Sequence, residues 1–174
     1  MKPMILAAFT ACLGLTACTR MQAARPEGFS VTLIWDTGAL PPPYHYSYTI
    51  AIGSGLTGDF SFQPGYAPES NNELWETKFE IEVADLDALY QTLAEKGMLR
   101  SKWAAGQPLL GGQDTSLVIK AGIEEYVIPS VSILASQERE KVDEIIEIIR
   151  GIVPSSIWDE MDTRQAEFEA GFEY

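Results

Sequence analysis

Between Phe29 and Val83 apolar and polar positions alternate with a period of two in four separate runs, and from Asp85 a spacing of three and four sets in. Phe29, Val31, Leu33 and Trp35 share one face, with Ser30, Thr32 and Asp36 opposite. Tyr44, Tyr46, Tyr48, Ile50 and Ile52 form a second such row against His45, Ser47, Thr49 and Ala51. Asp59-Phe60-Ser61-Phe62 is a shorter third run, and Trp75, Thr77, Phe79, Ile81 and Val83 against Glu76, Lys78, Glu80 and Glu82 a fourth. Period two over these lengths predicts strands, each with one dry face and one wet face. Asp85 then offers a helix cap before Leu86, Leu89, Tyr90 and Leu93, with Gly97 as the stop. A loop rich in Gly and Pro spans 101–114, and Thr115–Ala121 and Glu125–Pro129 make two more strands around Gly122. Ser136 is positioned to cap a second helix with the stripe Val142, Ile145, Ile146, Ile149 and Ile152. Pro154 resets the chain, and a last helical stretch places Ile157, Met161 and Phe168 on one side. The order ββββ-α-ββ-αα predicts an α+β fold: an antiparallel sheet of about six strands with two or three helices on one face.

The first 28 residues follow neither period. Lys2 precedes the apolar runs Ile5–Phe9 and Leu13–Leu15, which are too short for the ~20 residues that cross a bilayer. A basic start, a short apolar core and a small-residue site describe a secretory signal. The stretch closes on Leu15-Thr16-Ala17-Cys18, which resembles the lipobox of bacterial lipoproteins. The resemblance implies cleavage before Cys18, diacylglycerol on its thiol and a further acyl chain, such as palmitate, on its new amine. It also implies sorting to the outer membrane, facing the periplasm, in a host with two membranes, because Thr19 stands where the retention aspartate would be. Residues 1–17 are then a signal peptide, 18–28 a lipidated cysteine and tether, and 29–174 a single domain. The only other cysteine, Cys12, leaves with the signal, so no disulfide or thiolate metal site is expected.

Twelve basic against 25 acidic side chains give a net charge of −13. That sign excludes nucleic acid as a partner, since phosphate binding is carried by Lys and Arg clusters. Residues 136–174 hold eleven acids and four bases, a net −7, interleaved with Trp158, Phe168, Phe172 and Tyr174. Such a region reads first as helices docked through Trp158 and Phe168, and second as a partner-binding tail.

Three stretches carry candidate chemistry. Trp35-Asp36-Thr37-Gly38-Ala39 after an apolar strand resembles the active-site loop of retropepsin-like aspartic proteases, with Leu109-Leu110-Gly111 as the later apolar pair. The resemblance implies that Asp36 shares a proton with a mate across a water molecule. Pro41-Pro42-Pro43 and the helical C-terminus depart from that family, and Asp-Thr-Gly is also ordinary turn chemistry. Gly53-Ser54-Gly55-Leu56-Thr57-Gly58 matches a dinucleotide fingerprint only in letters, because an alternating run and not a helix follows it. The lone His45 cannot supply a multi-histidine zinc set and is expected on the polar face of its strand. No calcium-loop spacing is present, and Asp85, Asp87, Asp159 and Asp162 read as helix-start or solvent-face charges, so neither metal nor cofactor is expected. These readings point to a lipid-anchored cell-envelope protein with a non-catalytic binding or accessory role, its possible partner another envelope protein. The alternative is a membrane-tethered hydrolase of aspartic-protease type using Asp36.

Overall fold

The structure, a computed structural model, describes residues 24–66 and 74–172. The expected signal, Cys18 and residues 19–23 of the tether lie outside them, as do Glu173 and Tyr174. The described chain runs β1 (Ser30–Asp36), β2 (Tyr46–Ile52), β3 (Thr57–Pro64), β4 (Trp75–Glu80), α1 (Val83–Glu95), β5 (Asp114–Ala121), β6 (Glu124–Ile128), a short 3-10 turn (Val131–Ile133), α2 (Ser136–Ile152) and α3 (Ser155–Gly171). It is an α+β fold, with one six-stranded antiparallel sheet in the order β4-β3-β2-β1-β5-β6.

The alternation sorts the sheet's two faces. Val31, Leu33 and Trp35 of β1 point inward with Tyr48, Ile50 and Ile52 of β2, Phe60 and Phe62 of β3, and Leu117 and Ile119 of β5. Leu86, Leu89 and Leu93 of α1, Val142, Ile145 and Ile149 of α2, and Ile157 and Met161 of α3 complete one core cluster against them. On the outer face no strand residue is buried.

Several boundaries differ from the sequence reading, each for a local reason. β3 is longer than Asp59–Phe62 because Gly58 occupies an inward position and leaves its space to the Phe79 ring. α1 starts at Val83 with no side-chain cap, and Asp85 lies in its first turn, where its charge suits the helix dipole. Ala135, not Ser136, flanks α2, because its N–H is already held by the Ala104 carbonyl at 2.9 Å. The β5–β6 hairpin turns through Gly122-Ile123 with positive φ at Gly122 alone, as a type II′ turn requires.

The C-terminal region is docked. Trp158 sets its edge on Tyr48 and Phe60, with both centroid distances 5.2 Å. Phe168, expected on the core, is half-buried and pairs with Phe172 at 6.0 Å. The buried Gln165 Nε2 donates to the Pro43 carbonyl at 2.9 Å, which ties α3 to the loop between β1 and β2.

Candidate functional site

β1 ends at Asp36, and the chain turns at once. The Gly38 N–H donates to Asp36 Oδ1 at 2.6 Å, the local bond that short acidic side chains make in turns. Thr37 N–H donates to the Tyr46 carbonyl at 3.1 Å, and the Tyr46 N–H donates to Thr37 Oγ1 at 3.1 Å, which closes the loop onto the start of β2. His45 therefore lies just before the strand instead of on its polar face. Its Nδ1 sits 2.8 Å from the Gly38 carbonyl oxygen, and its ring stacks on Tyr66 at 3.8 Å. The Tyr66 hydroxyl in turn donates to the Leu40 carbonyl at 2.6 Å.

The pairing of β1 with β5 brings Asp114 directly opposite Asp36. Both belong to the outer face, so their Cβ atoms stand about 5 Å apart, where like charges repel. Asp114 Oδ1 accepts the Thr115 N–H at 2.9 Å and the Ser130 hydroxyl at 2.5 Å, and Ser132 Oγ lies 2.5 Å from Ser130 Oγ. The 101–113 loop arrives at the same place. Gly38 has φ +73°, and a Cβ there would lie 1.9 Å from the Gly112 carbonyl oxygen, so the two loops touch backbone to backbone. The Leu109 N–H donates to the Ser132 carbonyl at 2.9 Å. Leu40, Leu109 and Ile133 are about half exposed at this end, and Leu110 is 98% exposed.

The supporting shell is held by arginines. Arg139 donates through Nε to the Val131 carbonyl and through its terminal nitrogen to the Leu134 carbonyl, at 3.0 and 2.9 Å. Arg100 lies over the Trp103 ring, 4.2 Å from its centroid, and donates to Glu138 of α2. Burial works against ionising Glu138, but the Arg100 hydrogen bond and charge, with Lys141, hold its carboxyl below the usual range.

The tyrosine row divides. Tyr48 is buried, and burial foremost pushes its phenol upward, while half-buried Tyr46 is raised by burial and then by Asp162. Only Tyr44 is exposed. The fingerprint-like glycine run is the β2–β3 turn, closed by the Gly53 N–H donating to Thr57 O at 3.2 Å. Among the described residues no group of three His, Cys, Asp or Glu side chains could hold a metal ion. No described helix is long and apolar enough to cross a membrane. The structure thus brings Asp36, His45 and the Leu109–Leu110 pair to one end of the sheet. Sequence reasoning missed Asp114, Ser130 and Ser132: Asp114 fell at the end of the 101–114 loop, and nothing local indicated which strand would lie beside it. No protein-family model matches the chain, and no curated protein matches it.

Proposed function

We propose that this chain is a lipid-anchored envelope domain that works by binding another protein and carries out no catalysis itself. The observation that supports the binding reading is apolar exposure on and beside the outer sheet face, where Ile34 and Val127 are 45% and 55% exposed. Its Asp36 end is bordered by the exposed side chains of Leu40, Leu109 and Leu110. Several exposed apolar side chains gathered at one end of a fold favour an interaction surface there. The Asp36 carboxylate is engaged by Gly38 N–H in a turn, which is a structural use of Asp-Thr-Gly.

Anchoring rests on the resemblance at Leu15–Cys18. The described chain enters at Pro26 beside the Gly122 turn, at the end of β1 opposite Asp36. A short tether from Cys18 leaves the Asp36 end pointing away from the bilayer. Metabolic labelling with a radioactive or clickable palmitate tests the anchor. The wild-type chain incorporates label and sediments with membranes, and Cys18→Ser loses both. Label that persists in Cys18→Ser defeats the anchoring proposal.

A further inference from the structure

An antiparallel sheet ordinarily leaves one face in water, so exposure of the outer face is not by itself informative. Its charge distribution is. The centre carries Thr32, Ile34, Thr49, Ala51, Ser116 and Val118, none of them ionisable. At the margins stand six acids, Asp36, Asp59, Glu76, Glu80, Asp114 and Glu125, against Lys78 and Lys120. Both lysines are used within the face, Lys78 on Asp59 at 3.1 Å and Lys120 on Glu125 at 3.3 Å. Among the described residues no Lys or Arg pairs with Asp36 or Asp114.

Exposed apolar side chains stand on both sides of these two carboxylates. Ile34 precedes Asp36 along β1 on the same face, and Val118 lies diagonal to Ile34 on β5, four residues beyond Asp114 with Ser116 between. Leu109 and Leu110 lie past them on the loop that Gly112 presses against Gly38. Each carboxylate spends Oδ1 on local donors: Gly38 N–H for Asp36, and Thr115 N–H and Ser130 Oγ for Asp114. The facing charges destabilise each other in the free protein. A guanidinium or ammonium set between them removes that repulsion and gains charge-assisted hydrogen bonds.

We propose that this surface docks a segment of another protein in which an arginine or lysine is flanked by apolar side chains. The cation sits between Asp36 and Asp114, one apolar neighbour covers Ile34 and Val118, and the other meets Leu109 and Leu110. The inference rests on the binding reading above and specifies the partner's chemistry. A second copy of this chain is disfavoured, because two such faces bring six acids against six. Anionic headgroups meet the same repulsion.

The test uses the full chain carrying Cys18→Ser, so its outcome does not depend on anchoring. Three fluorescent peptides serve as probes: one with arginines between leucines, one with glutamine in place of each arginine, and one with glutamate. The arginine peptide is expected to bind, and to shift backbone NMR signals of Ile34, Val118 and Leu110. The glutamine peptide is expected to bind at least tenfold more weakly, and the glutamate peptide not at all. Asp36→Asn with Asp114→Asn keeps an oxygen for each local donor and is expected to weaken the arginine peptide at least tenfold. Leu110→Asp is expected to weaken it as well, whereas Ile148→Asp on the exposed side of α2 is not.

The proposal is overturned if all three peptides bind alike. It is overturned too if the shifts fall on the acidic faces of α2 and α3, which is what a net charge of −13 alone would produce. Self-association through Ile34, or cleavage of the peptide that stops in Asp36→Asn, would equally sink it. Docking of a native partner elsewhere on the domain would refute this surface and leave the binding reading standing.

Discussion

Gly38 meets two demands that no other residue satisfies together. Its φ of +73° lies in the left-handed region, and its α-carbon faces the Gly112 carbonyl with no room for a methyl group. Gly38→Ala is expected to lower unfolding free energy by about 2 kcal/mol or more, measured by urea denaturation, because it adds backbone strain to a direct clash. Glu138 tests the opposite side of the same loop. Its side chain is 13% exposed and paired with Arg100 and Lys141, and its carboxyl titrates below the usual 4.5. A lowered folded value means that its contribution is complete above that range and is lost as pH falls through the folded value. Glu138→Gln is therefore expected to cost about 1 kcal/mol at neutral pH. The gap from wild type should close on acidification below ~4.5, as read from denaturation curves at several pH values. Asp36 was legible in the sequence because Asp-Thr-Gly after an apolar strand is a local pattern. Its neighbour Asp114 was not, because the β1–β5 register joins residues 78 positions apart and no local period encodes it.

Elements with an uninterrupted period were read closely. β1 and the α2 stripe lie where alternation and helical spacing put them, since each buries a row in one core, whereas β2 starts two residues later than its tyrosine row, at Tyr46. The 3-10 turn at Val131–Ile133 was not foreseen, because three residues are too few for a period and its N-terminus is set by Ser130 accepting from Ser132 N–H. α3 docks, as the first reading of its apolar positions had it, and is not the partner-binding tail that its acidity offered second: Ile157, Met161 and Gln165 are buried, and Trp158 covers Tyr48 and Phe60. Cutting the chain after Pro154 is expected to expose that aromatic cluster and lower stability by about 3 kcal/mol or more, given what the loss of one large buried side chain costs. A thermal melt of the truncated chain checks this. An unchanged melting temperature would mean that α3 contributes nothing to the core.

At the scale of the whole molecule, the acids of α2 and α3 sit on the side of the sheet opposite its outer face, so the chain's net charge is spread over both layers. The N-terminal entry at Pro26–Phe29 and the Asp36 end are separated by the length of β1, roughly 20 Å for seven residues. An anchor at Cys18 would set the first near the bilayer and hold the second away from it, with the outer face accessible along its length. Site-specific photocrosslinking in native membranes addresses this directly, with the reactive side chain placed at Ile34, at Leu110 or at Ile148 in the otherwise wild-type chain. The binding account predicts a protein adduct of one size from both Ile34 and Leu110 and none from Ile148. Adducts from Ile148 alone, or lipid adducts from Leu110, would contradict it.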